Sequence, residues 1–99
     1  MTFLFTVNDS FDIAGRYVIP VPGVPPSIRG VRQGLKIELR RPNGTIIPTE
    51  VACVPIIDPY DPHRPIQIGL RGLSKDDIPV GTEIWMIDES ATMRSGETV

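Results

Sequence analysis

The chain has 99 residues, which is enough for one domain, since autonomous domains cluster at about 100–150 residues. Hydrophobic residues make up 40% of it and charged residues 22%, with nine glycines and eleven prolines; this excludes a disordered or collagen-like chain and makes long helices unexpected. A formal charge of −2 argues against a generally basic binder of nucleic acid or membrane surfaces.

The first predicted strands lie at residues 3–7 and 17–21. The clearest strand follows at residues 35–40 and alternates strictly. Its apolar residues are Leu35, Ile37 and Leu39, and its charged residues are Lys36, Glu38 and Arg40. Because successive side chains of a strand point to opposite faces, this pattern predicts a half-buried strand. Pro42 and Gly44 then predict a bulged type I turn and a hairpin return through residues 45–47.

The second half of the chain repeats this pattern. Strands are predicted at residues 50–54, 66–71 and 82–87. Ser74 and Asp77 have the spacing of a capping box and predict one helical turn between the last two strands. Residues 89–99 show no apolar period and are predicted to be a flexible tail after a single domain at residues 1–88.

Six or seven short strands separated by turn signals favour an all-β fold, as either a barrel or a sandwich. A small sheet must protect its exposed edges, and closure removes them. We therefore predict a small closed antiparallel six-stranded β-barrel.

Cys53 is the only cysteine, which excludes an internal disulfide and fits a reducing compartment, so the predicted location is cytoplasmic. Residues 1–7 lack a basic region, and their apolar run is short. Neither a signal peptide nor a membrane span is expected there.

Three segments, in order, resemble one family. They are FTVNDSFDIAGR at 5–16, VRQGLKIEL at 31–39 and IGLRGLSKDDIPVGTEIW at 68–85. Together they look like the second domain of translational GTPases such as elongation factor Tu, over about residues 3–88. The third segment is the most specific, because it matches the family's order of leucine-arginine-glycine, a short acidic turn, a glycine and the final strand.

This resemblance implies a six-stranded Greek-key barrel. Asp9 and Arg16 match an acidic and an arginine position that help the family to hold the aminoacylated end of tRNA, so both are candidate ligand contacts. Asn8 and Tyr17 differ from the family at neighbouring positions, and most of that binding set is missing. No phosphate-binding loop of the form GxxxxGK[ST] is present, so nucleotide binding is not expected.

A local excess of positive charge is the feature best suited to meet phosphates. Five cations stand against Glu38 between residues 29 and 41, a local net charge of +4: Arg29, Arg32, Lys36, Arg40 and Arg41. Arg32, Lys36 and Arg40 are therefore candidate RNA contacts, and a solvated charged face is the alternative. No aromatic residue lies among them in sequence, which does not favour base stacking.

Trp85 is the last candidate binding residue. Residues 84–87 are apolar on both faces of the final strand, which indicates that one face meets a partner or another segment. The partner can be a protein, an RNA or a second copy of the chain; a membrane is not expected.

Cys53 and His63 suggest the alternative of a small cysteine-dependent hydrolase or redox protein, since a thiol nucleophile needs a base. Cys53 lies in an apolar segment, however, where a thiol usually behaves as a small hydrophobe. We therefore predict a non-enzymatic binding module with no catalytic residue, metal ion or cofactor.

Overall fold

A computed structural model describes residues 1–55 and 61–87 of the chain. The elements in chain order are β1 (Thr2–Thr6), β2 (Asp9–Ile13), β3 (Tyr17–Val21), β4 (Lys36–Arg40), β5 (Ile46–Glu50), a 3-10 turn (Lys75–Asp77) and β6 (Glu83–Met86). All paired strands are antiparallel, which confirms the all-β antiparallel prediction. The predicted tail at 89–99 lies outside the described residues.

Strands β1, β6, β4 and β5 form a four-stranded sheet in that order. The alternation predicted for β4 is confirmed, because Leu35, Ile37 and Leu39 are all buried. Lys36 and Arg40 project from the opposite face. Glu38 also lies on that face, yet it is buried, and this burial is the one departure from the simple pattern.

The turn between β4 and β5 is also confirmed. Arg41 N–H donates to the carbonyl of Thr45 at 2.8 Å, and Gly44 has a φ of 91°, a left-handed conformation that glycine adopts without steric cost. The Asn43 side-chain oxygen accepts the Thr45 N–H at 2.9 Å. The turn therefore sets the register of the β4–β5 pair locally.

Strands β2 and β3 form a separate hairpin. Alternation does not predict β2, because Asp9 and Asp12 interrupt its apolar residues. The strand instead depends on the turn that follows it. Ala14 and Gly15 have φ values of 50° and 70°, which matches a two-residue turn whose twist suits a hairpin. This pairing places Phe11 opposite Ile19.

Residues 50–54 and 66–71 do not form the strands predicted for them. They make isolated bridges, which are Val18 to Leu70, Val24 to Ile66 and Cys53 to Gly69. The segment at 66–70 changes partner along its length. In addition, the backbone N–H groups of Ala52 and Cys53 both donate to the carbonyl of Gly69. Two residues then oppose one, as in a β-bulge, and the pairing of residues 52–53 with residue 69 does not extend beyond one bridge. Across residues 1–55 and 61–87, the six strands thus divide between two sheets and no sheet closes into a barrel.

One hydrophobic core joins the two sheets. Its members include Leu4 and Ile84 from the four-stranded sheet, Val18 from the hairpin, and Ile68 and Leu70 from the bridging segment. Burial of each such side chain contributes about 1.5–3 kcal/mol. The core therefore couples the hairpin to the sheet where backbone pairing is sparse.

The single helical turn is formed as predicted. Ser74 N–H donates to Asp77 Oδ2 at 2.8 Å, and Asp77 N–H donates to the carbonyl of Ser74 at 3.0 Å. These reciprocal bonds satisfy backbone groups at the start of the turn.

Candidate functional site

The outward side of the four-stranded sheet, here called the sheet face, carries three of the six predicted site residues, Lys36, Arg40 and Trp85. One cross-strand row runs from Phe3 through Trp85 and Glu38 to Pro48. Further outward side chains come from β4, β5 and β6. They are Lys36, Arg40, Ile46, Glu50 and Glu83.

Trp85 is half-buried at the centre of the sheet face. The Arg40 guanidinium carbon lies 4.3 Å from the centroid of its ring, within the range of a cation–π interaction. The Phe3 ring meets it edge-on, with the centroids 5.3 Å apart and an interplanar angle of 64°. The indole N–H donates to Glu83 Oε1 at 3.0 Å, so the polar atom of the tryptophan is satisfied.

Glu38 holds Arg40 in this position. Its Oε2 accepts a hydrogen bond from Arg40 Nε at 2.7 Å, and the Glu38 side chain is only 11% exposed, against 38% for Arg40. A charge-assisted bond of this length is among the stronger ones in proteins. Arg40 Nη2 also lies 3.2 Å from Met1 Sδ.

Sequence reasoning did not find this arrangement, because it treated Glu38 only as a charge opposed to the cations and did not identify Phe3. The alternation of β4 already placed Glu38 and Arg40 on one face. The register that sets Glu38 opposite Trp85 depends on strands far apart in the chain.

The cationic segment at 29–41 does not form one continuous basic surface. Lys36 Nζ lies 3.0 Å from Glu50 Oε2, and Arg40 is bound to Glu38. Arg32 lies in the loop before β4 and donates from Nη1 to the carbonyl of Gly30 at 3.3 Å. Carboxylates from β4 and β5 therefore neutralise the two cations that share the sheet face.

Asp9 and Arg16 lie on the hairpin, apart from the other candidates. Asp9 begins β2, and its Oδ1 is 3.6 Å from Lys75 Nζ. Arg16 follows the hairpin turn and lines a shallow groove with Tyr17, Leu73 and other residues near the 3-10 turn. The structure thus brings Lys36, Arg40 and Trp85 together and leaves Asp9 and Arg16 outside that group.

The outward side of the hairpin, here called the hairpin face, is a second apolar surface. Phe11 is 52% exposed and Ile13 is 37% exposed. Their cross-strand partners Ile19 and Tyr17 are half-buried. Like the sheet face, this face exposes a phenylalanine. Asp9 is the one charged residue in its outward cross-strand pairs.

Cys53 and His63 are not joined in the described structure. Cys53 packs against Gly69 so closely that a Cβ on the glycine would lie 2.5 Å from Sγ. His63 is exposed, and its backbone N–H donates to Asp61 Oδ1 at 2.9 Å. Within residues 1–55 and 61–87, no group of three or more histidine, cysteine, aspartate or glutamate side chains could hold a metal ion.

None of the described helical structure is long and apolar enough to span a membrane. Comparison with protein-family models, with curated proteins and with solved structures found no match for this chain.

Proposed function

We propose that this protein is a non-enzymatic binding module that docks a protein partner through the sheet face. The proposal includes a relationship to the second domain of translational GTPases such as elongation factor Tu, with a six-stranded Greek-key plan whose strands, in the described residues, divide between two sheets. The antiparallel all-β fold supports it, as does the bridge that links Val18 of the hairpin to Leu70.

One observation carries the proposal. Trp85 sits between Arg40 and Phe3 on an outward sheet surface, and Phe3 is 43% exposed. Tryptophan and arginine dominate the energetics of protein interfaces. Because Glu38 already holds Arg40 over the ring, little side-chain freedom is lost when a partner covers them.

The edges of the sheet favour docking on the face over addition of a strand. In the β4–β5 pair, Arg41 bonds to Thr45 and Val51 to Leu35, so alternation directs the nitrogen of Pro48 toward the open edge of β5. Proline cannot donate a hydrogen bond there. At the other edge, β1 carries a bulge between Phe3 and Phe5, and bulges disfavour strand addition. A partner therefore contacts the side chains of the sheet face and does not pair with a strand edge.

RNA is a weaker candidate partner. Lys36 and Arg40 are paired with Glu50 and Glu38, so binding of phosphate would have to compete with these carboxylates. If RNA binds nonetheless, its affinity should fall steeply with salt, and Lys36→Ala should reduce that slope.

The alternative function, a small cysteine-dependent hydrolase or redox protein, is also less favoured, since the described residues show no hydrogen bond between Cys53 and His63. Alkylation of the native protein with iodoacetamide tests it, because a catalytic thiolate reacts quickly. Labelling as slow as expected for a packed structural thiol would remove this alternative.

The main experiment is affinity capture of the tagged protein from its own lysate, with and without nuclease, using two matched variants. Phe3→Ser removes an exposed ring from the sheet face, and Phe11→Ser removes one from the hairpin face. We expect a stoichiometric protein that resists nuclease, is lost with Phe3→Ser and is retained with Phe11→Ser. The reverse pattern would move docking to the hairpin face, and loss with nuclease would indicate RNA. Recovery of the untagged chain would indicate a homo-oligomer.

A further inference from the structure

The charges of the sheet face are unequal. Its carboxylates are Glu38, Glu50 and Glu83, and its cations are Lys36 and Arg40. Arg40 binds Glu38 at 2.7 Å, and Lys36 binds Glu50 at 3.0 Å. Among the described residues, Glu83 has no ion-pair partner, so one carboxylate on this face is left without a cation.

Glu83 also has a defined position. Its Oε1 accepts the indole N–H of Trp85 at 3.0 Å, and it lies opposite Arg40 in the β4–β6 register. Arg40 nevertheless directs its Nε to Glu38, whose side chain is nearly buried. The exposed carboxylate of Glu83 is therefore held beside the Trp85 ring without an ion-pair partner in the described part of the chain.

From this arrangement we propose that the partner presents a lysine or arginine next to an apolar side chain. This inference rests on the proposed docking function. The apolar side chain covers Phe3 and Trp85, and the basic group pairs with Glu83. An acidic segment would instead bring a like charge toward a face on which carboxylates already outnumber cations, and this repulsion disfavours it.

The test is selection from a random peptide library displayed on phage, against the full chain and two charge-reversed variants. Glu83→Lys reverses the charge beside Trp85. Asp76→Lys reverses an exposed carboxylate in the 3-10 turn and serves as the control. Each variant changes the net charge by the same amount, from −2 to 0, so an effect of overall charge would be equal in both.

We expect the unmodified chain and Asp76→Lys to select peptides with a basic residue beside an apolar one, and Glu83→Lys to select acidic ones. Emission of Trp85, the only tryptophan, reports binding of the selected peptides directly. Glu83→Gln should weaken an arginine peptide about two- to fivefold, the range of an exposed ion pair, and Glu83→Lys should weaken it further.

The outcomes separate this inference from the proposed function. One outcome would overturn the inference and leave docking on the sheet face intact. In that outcome the peptides need Phe3, but those selected on the unmodified chain and on Glu83→Lys show the same charge preference. Peptides that bind equally well to Phe3→Ser, or a selection that yields no binder, would overturn both. Inversion of the preference by Glu83→Lys alone supports both.

Discussion

The sheet face and the hairpin face each expose a phenylalanine, at 43% for Phe3 and 52% for Phe11. Only on the sheet face do neighbouring side chains hold the phenylalanine in a defined arrangement. Phe3 contacts Trp85, which in turn carries Arg40 on its ring. Phe11 stands opposite Ile19 with no such further contact among the described residues. Exposure of an apolar side chain is therefore a weaker sign of a binding surface than exposure combined with fixed neighbours.

The difference follows from the position of the strands. β4 and β6 each have a neighbour on both sides, so their outward side chains meet cross-strand partners on two sides. The hairpin has two strands and connects to residues 66–70 through one isolated bridge, from Val18 to Leu70. A single bridge fixes the backbone at one residue only. The outward side chains of the hairpin therefore have fewer cross-strand partners than those of β4 and β6.

The largest expected effect is on the attachment of the hairpin. In Gly69→Ala, the new Cβ would lie 2.5 Å from Cys53 Sγ and 2.9 Å from the Tyr17 ring. Overpacking of this kind should lower the free energy of unfolding by about 2–3 kcal/mol. Urea denaturation measures the loss, and hydrogen exchange should accelerate more at the Val18 amide than at the Leu39 amide.

Gly30→Ala is the control for that substitution. Gly30 has a φ of 89° and nothing within 4 Å of the added Cβ, so it introduces backbone strain without crowding and should cost about 1 kcal/mol. An equal loss in the two variants would argue against close packing at Gly69.

The next effect concerns the organisation of the sheet face. Glu38→Ala removes the carboxylate that holds Arg40 and should cost about 1–2 kcal/mol, less than a fully buried pair because Arg40 is 38% exposed and solvent screens it. Glu50→Ala, which breaks a pair whose two members are more than half exposed, should cost less than about 0.5 kcal/mol. Chemical denaturation compares them, and equal losses would contradict the role given to Glu38.

A smaller effect is expected from the cation–π contact itself. Arg40→Lys keeps the charge but removes the planar guanidinium that lies over Trp85. A double-mutant cycle with Trp85→Phe should give a coupling energy of about 0.5–1 kcal/mol. A coupling of zero would mean that the stacked geometry contributes nothing to stability.

The smallest effect is expected on the hairpin side. Asp9 and Lys75 are 3.6 Å apart and both more than half exposed, and Asn at position 9 retains an oxygen for the Ser10 N–H. Asp9→Asn should therefore change the free energy of unfolding by less than about 0.5 kcal/mol. A thermal shift measurement on this variant and on Glu38→Ala would show the contrast between the two regions directly.

Sequence reasoning predicted part of the arrangement of side chains on the sheet face. Alternation in β4 placed Lys36 and Arg40 on the outward face, and the apolar final strand singled out Trp85. It did not predict Glu38 as the anchor of Arg40, Phe3 as the partner of Trp85, or Glu83 as the acceptor of the indole N–H of Trp85. These relations depend on the registers of β1, β4 and β6, which residues close in sequence do not determine.

The sequence by itself determined the features that arise within a few residues. They include the two-residue period of β4, the turn that ends at Gly44 and the capped turn that starts at Ser74, because backbone sterics and nearby hydrogen bonds are sufficient for each. Only the tertiary structure decided that residues 66–70 bridge three different segments, that the strands divide between two sheets, and that Arg40 lies over Trp85 beside Glu38. Those outcomes depend on which distant strands pack together, and burial of a shared core selects that pairing.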